Sequence, residues 1–195
     1  EGRIGASVGI STFPTDSETI DVLLQRADTA MFHAKAQGRN AFVFYSDDIQ
    51  SKTVENQAML RLLEQSMETM EDFSVKYQPQ VNLETGAIVG VEALMRWRNP
   101  ESGEWVDPTE FIAAAEEGNL IVELGSWIFR KACKQHQTWR ELGIPPIRMG
   151  INVSPKQLRV HGFAELIQYI LREYKVDPKY IEIEITETAI EGREE

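Results

Sequence analysis

At 195 residues the chain is long enough for one or two domains, and with 42% hydrophobic and 26% charged residues it can build an ordinary core. No stretch approaches the ~20 apolar residues of a membrane span and no signal-like segment opens the chain, so the sequence suits a cytoplasmic protein, even if a parent protein were membrane-anchored through further N-terminal domains. A net charge of −11 with scattered Lys and Arg excludes the electrostatic footprint of a DNA binder, the single Cys133 excludes a disulfide framework, and three widely spaced histidines (His33, His136, His161) exclude a histidine-rich metal cluster.

In chain order, residues 1 to about 46 carry a strand in Ala6-Ser7-Val8-Gly9-Ile10 followed by Pro14. A helix comes next, containing Ala27-Asp28-Thr29-Ala30-Met31-Phe32 and Ala34-Lys35 and closing on Gly38-Arg39-Asn40. Residues 46–56 are polar without an apolar period and read as a linker. Met59, Leu63, Met67 and Met70 then recur at helical spacing, a stripe that predicts a core-facing helix leading into a second domain from residue 57 on. Phe73 to Val81 predicts a strand, Leu83-Glu84-Thr85-Gly86 a turn, and Ile88 onward a second strand. Asp107 and Pro108 open a helix with Glu110 in its first turn, and Gly118 ends it. A longer helix covers about Leu124 to Leu142 and stops at Gly143, before Pro145 and Pro146. The strand of Asn152, a helix from about Gly162 to Tyr174, and Pro178 before the strand of Glu184 complete an alternation that is the signature of βαβ units.

Three of these stretches place an oxygen donor at a predicted strand end: Glu92 in Gly90-Val91-Glu92-Ala93-Leu94, Asn152 in Ile151-Asn152-Val153-Ser154, and Glu184 in Ile183-Glu184-Ile185. Strand side chains alternate between faces. Val89, Val91, Ala93 and Met95 oppose Gly90, Glu92, Leu94 and Arg96; Met149, Ile151 and Val153 oppose Gly150, Asn152 and Ser154; Ile181 and Ile183 oppose Glu182 and Glu184. Apolar faces can pack under helices while the polar faces converge, as at the C-terminal rim of a parallel α/β barrel. For any one strand, a wetted outer face explains the alternation as well. Two carboxylates and a carboxamide together suit a hard cation such as Mg²⁺ or Mn²⁺.

The same words carry a family resemblance. Tyr77-Gln78-Pro79, Glu92-Ala93-Leu94-Met95-Arg96-Trp97, Pro108-Thr109-Glu110-Phe111-Ile112 with Ala115-Glu116, Asn152-Val153-Ser154-Pro155 and Glu184-Ile185-Thr186-Glu187 stand in the order of an EAL domain, the cyclic di-GMP phosphodiesterase family. Residues 1–46 resemble the C-terminal end of a GGDEF diguanylate cyclase domain, without the motif that names that family. The resemblance implies a partial GGDEF α/β domain (1–46), a linker (47–56), and the N-terminal part of a TIM-type barrel (57–195) with about four of its eight strands. A family member would continue with an Asp-Asp pair, a Lys and further acidic ligands, so the chain is expected to be a segment of a longer tandem protein and inactive by itself.

What the resemblance implies about chemistry is two-metal hydrolysis of cyclic di-GMP to the linear dinucleotide pGpG, with Mg²⁺ or Mn²⁺ held by Glu92, Asn152 and Glu184 and with Glu187 supporting the catalytic site. Gln78 would read a guanine edge, Arg96 would clamp a phosphate, and Leu94 would form an apolar wall under the nucleotide. Arg96 could instead pair with Glu101, and Leu94 could be ordinary core. Lys35 and Arg39 would be a remnant of the GTP-phosphate site of the GGDEF part, although two cations at a helix end also complement its dipole, with Gly38 as the stop. A catalytically silent module that binds cyclic di-GMP, or that regulates or dimerises, is the alternative. The scarcity of histidines argues against the other cyclic di-GMP hydrolases, whose site needs paired His and Asp.

Overall fold

The computed structural model describes residues 5–36 and 40–185. It divides into two compact units, Glu1–Arg61 and Leu62–Glu195. In the first, β1 (Val8–Ile10) and β2 (Phe42–Phe44) pair in parallel, and α1 (Ile20–Ala36) is the crossover between them. Ala30 and Ala34 are fully buried, and a Cβ at Gly9 would lie 1.9 Å from the Ala27 carbonyl oxygen and 2.2 Å from the Met31 nitrogen. Strand and helix therefore touch backbone to backbone, which only glycine permits.

Helix α2 (Asp47–Thr69) begins twelve residues before the first residue of the apolar stripe, Met59. The stretch 47–56, expected as a linker, is helical. It contains no Gly or Pro, its first turn carries Asp47 and Asp48 where the helix dipole favours acid, and most of its side chains are exposed. A helix with no buried face leaves no period to read. Farther on, Leu63 of the stripe is buried as predicted, and so is Ser66, which the stripe does not include.

The second unit holds a sheet in the order β3 (Phe73–Val81), β4 (Ile88–Arg98), β6 (Arg148–Asn152), β7 (Ile181–Glu184), with β5 (Trp105–Val106) added to β4. β3 and β4 form an antiparallel hairpin, whereas β4, β6 and β7 run parallel. The parallel part matches the expected βαβ alternation; the antiparallel β3 follows from the short turn 82–87, too short for a crossover. Helix α3 (Pro108–Glu117) starts at Asp107, whose carboxylate accepts from Thr109 N, and ends at Gly118. Helix α4 (Ile121–Glu141) starts three residues earlier than predicted and stops before Gly143, which has φ 78°. Two short elements carry no sequence signal long enough to read: α5 (Pro155–Leu158) and a 3₁₀ turn at Pro178–Tyr180. Helix α6 (Phe163–Glu173) lies between them.

One face of the sheet is the core. Val91, Ala93, Met149, Ile151 and Val153 pack against Ile128, Phe129, Ala132 and Cys133 of α4 and Ile167, Ile170 and Leu171 of α6. Each large side chain taken from water contributes about 1.5–3 kcal/mol, so this layer holds the opposite, polar face in place. Beyond it, fully buried Trp97 stacks on Phe73 and meets Phe111, and its Nε1 donates to Ser66 Oγ at 3.0 Å. Among the described residues no helix is long and apolar enough to cross a membrane.

Candidate functional site

The polar face is set by register. Gln78 of β3 stands opposite Glu92 of β4, Glu92 beside Gly150 of β6, and Asn152 beside Glu184 of β7. Asn152 and Glu184 are the last residues of their strands, as expected, but Glu92 is not: β4 continues to Arg98 on its hairpin partners after its pairing with β6 stops at Ala93. The oxygen donors still meet, because Glu92 sits at the end of the parallel portion of β4. Asn152 Nδ2 donates to Glu92 Oε1 at 2.6 Å. The Glu184 carboxylate leans back over Gly150, where a Cβ would lie 2.0 Å from its Oε1.

Two carboxylates share this rim. The Glu184 carboxyl is pushed above the usual carboxylate range, first by loss of water, then by the charge of Glu92, with a smaller contribution from Glu182. Glu182 itself is held by Arg148 at 2.7 Å. A like-charged pair of this kind raises the affinity for a proton or a cation. Among the described residues no three His, Cys, Asp or Glu side chains form a group that could hold a metal; Glu92, Glu184 and Asn152 present two carboxylates and one carboxamide, all hard oxygen groups. Cys133 is buried and its thiol is pushed up to about 11 by burial, which leaves it a packing residue.

Leu94 and Arg96 follow Glu92 on the same face and line a cavity of about 360 Å³ with Pro108, Ile112 and Asn152. Arg96 Nη1 donates to the Met95 carbonyl at 2.8 Å, and its charge helps hold the Asp107 carboxyl below the usual range, after the hydrogen bonds from Thr109. Gln78 is exposed beside Glu92. Lys35 is exposed with Nζ 5.2 Å from the Phe32 ring centre. Glu187, Gly38 and Arg39 lie outside the described residues.

Two residues at the site were given no role by the sequence reading, although Glu116 stands among the motif residues. Gln80 leans across Gly90, whose Cβ would lie 2.9 Å from Gln80 Oε1, and lies close enough to Glu184 to favour its charged form slightly. Its only sequence signal is a period of two from Gln78. Glu116 accepts a hydrogen bond from Ser154 Oγ at 2.5 Å, tying α3 to the loop after Asn152.

Comparison with known proteins agrees with this layout. The EAL domain model matches residues 54–195, and the diguanylate cyclase GGDEF domain model matches residues 1–41. The bifunctional diguanylate cyclase/cyclic di-GMP phosphodiesterase MucR of Pseudomonas aeruginosa is 35% identical over 188 residues, 96% of this chain and 27% of that protein. The cyclic di-GMP phosphodiesterase PdeR of Escherichia coli is 32% identical over 184 residues, 94% of this chain and 27% of that protein. The chain thus spans about a quarter of the length of these relatives. A solved structure of the MucR phosphodiesterase in complex with c-di-GMP has a TM-score of 0.63 at 31% identity, covering 68% of this chain and 53% of that one. The chain belongs to the EAL domain family, with a GGDEF match at residues 1–41.

Proposed function

We propose that the protein hydrolyses one phosphodiester bond of cyclic di-GMP to the linear dinucleotide, at a site built on Glu92, Asn152 and Glu184. The observation that carries this is their convergence: three strands bring two carboxylates and a carboxamide to one rim, with Asn152 bonded to Glu92 and Glu184 pushed above the usual carboxylate range. That excess of negative charge suits a pair of divalent cations, Mg²⁺ or Mn²⁺, which when bound would supply Lewis acidity toward the phosphate and its attacking water. Glu92 and Glu184 would be charged ligands. Asn152 would contribute its amide oxygen, since its bond to Glu92 uses only Nδ2 and a carboxamide carries an acceptor oxygen beside its donor nitrogen.

The chain's own residues would orient the substrate. Arg96, in the cavity wall, would clamp a phosphate, Leu94 would pack beneath the nucleotide, and Gln78 would hydrogen-bond a guanine edge beside Glu92. Glu187 would support the metal site from the segment after β7. Residues 1–46 are assigned to a GGDEF unit and 57–195 to the EAL unit, with Lys35 and Arg39 retained as candidate contacts to GTP phosphates. A cytoplasmic setting fits the buried, unpaired Cys133.

The experiment is Glu92→Gln in the full-length protein, with product followed by chromatography and binding by calorimetry in Ca²⁺. Loss of turnover by a factor of about 100 or more, with folding intact, is expected. Unchanged turnover would remove Glu92 from the chemistry, and binding without turnover by the unsubstituted protein would mark a silent receptor.

A further inference from the structure

We infer that Glu116, in the last turn of α3, is a positioning residue for Asn152 and acts through Ser154. The inference rests on the phosphodiesterase assignment above and concerns how one of its ligands is held. Asn152 ends β6, and the chain turns at once through Val153 and Ser154 into α5. Hydrogen bonds to α3, α5 and β7 fix one side of that turn. Ser154 Oγ donates to Glu116 Oε1 at 2.5 Å and accepts from Lys156 N at 3.2 Å, so the hydroxyl is committed in both directions. Lys156 Nζ donates to the Glu116 main-chain carbonyl. Val153 N donates to the Glu184 carbonyl at 2.9 Å, linking the turn to β7.

The opposite side of the turn is held by Gln157. Its Oε1 accepts from Ser154 N at 3.0 Å, and the side chain is 2% exposed, packed on Gly125 of α4, where a Cβ would lie 1.8 Å from Nε2. The loop after Asn152 is therefore clamped between α3 and α4. Gln157 sets its backbone, and Glu116 is the charged acceptor that orients Ser154.

A stabilising role for α3 itself does not explain Glu116. Carboxylates in the last turn of a helix face the negative end of its dipole, and α3 carries no basic residue there. The placement works against the helix and in favour of the loop. Outer residues of this kind are worth about 10–100-fold in metal affinity or activity, because they fix the orientation of a ligand they do not replace.

The test uses the full-length protein with Glu116→Ala, Glu116→Gln, Ser154→Ala and the double variant Glu116→Ala/Ser154→Ala, reading Mn²⁺ binding directly by calorimetry alongside kcat and KM. Glu116→Ala should weaken Mn²⁺ binding about tenfold and lower kcat while KM for cyclic di-GMP stays within about twofold. Glu116→Gln, which keeps an acceptor oxygen for Ser154, should bind Mn²⁺ within about threefold of the unsubstituted protein, and the double variant should be no worse than the poorer single one. Wild-type Mn²⁺ affinity in folded Glu116→Ala, equal damage from Gln and Ala, or additive losses in the double variant would overturn the role. If Glu116→Ala does not fold, Ser154→Ala decides alone, a tenfold loss supporting the role and wild-type affinity refuting it. Failure of the unsubstituted protein to bind Mn²⁺ would instead remove the metal assignment beneath it, and the inference with it.

Discussion

Gly150→Ala separates the site from the fold. The Cβ it adds would lie 2.0 Å from Glu184 Oε1 and 2.9 Å from Glu184 Cδ, and the three nearest atoms all belong to that one side chain. Restoring ordinary contact at about 3.4 Å moves the carboxylate oxygen by about 1.4 Å. Backbone need not shift, since Glu184 is at the end of β7 and only partly buried. Alanine in a strand also gains roughly 0.5–1 kcal/mol over glycine, so the melting temperature should hold or rise slightly. A misplacement of about 1 Å at a reacting centre can cost about 100-fold, so turnover of cyclic di-GMP should fall by about two orders of magnitude. The assay is chromatographic detection of the linear dinucleotide beside a thermal melt. Turnover within about threefold of the unsubstituted protein would show that the Glu184 position above Gly150 is not the working one. A large drop in melting temperature would show that the added methyl meets more than Glu184.

Ser66→Ala should destabilise by about 1–3 kcal/mol in urea unfolding, because it leaves the fully buried Trp97 Nε1–H without its acceptor and also removes the Ser66 bond to Asp72; a change under about 0.5 kcal/mol would contradict this. His136 is buried against Tyr180, and its pKa is lowered, first by burial and then by the charge of Arg140. The native state thus refuses a proton that the unfolded chain takes up near pH ~6.5, so stability should be level above that pH and fall below it, down to the depressed folded pKa. In His136→Leu this acid slope should disappear, and an identical pH profile would refute the assignment. Gly9→Ala should cost about 1–3 kcal/mol in the first unit, seen as faster amide exchange in β1 and α1, because the added Cβ collides with helix backbone; unchanged protection would refute it.

Glycine also shows which parts of this protein the sequence makes legible. The alternation in β4 and β6 placed Val91, Ala93, Met149 and Ile151 in the core and left Glu92 and Asn152 on the opposite face, because a period of two survives any tertiary context that buries one side. Helix ends at Gly118 and before Gly143 were legible for similarly local reasons. The start of α2 and the length of β4 were not. A helix exposed all round has no period, and strand length depends on the partners that a distant segment provides.

Gln80 and Glu116 are the more instructive cases, since each faces a distant part of the chain, Gln80 toward Glu184 and Glu116 on Ser154. Gln80 reaches the rim by crossing Gly90, and Glu184 by crossing Gly150; each glycine lies two residues before a donor, Glu92 or Asn152, on the same face. A glycine within the polar alternation of a strand weakens the strand and contributes no side chain to pack. Its presence there marks a place where a neighbouring strand's side chain must pass over the backbone. The glycines of the polar face therefore locate the crossing points of the site, and only the register identifies which residues cross.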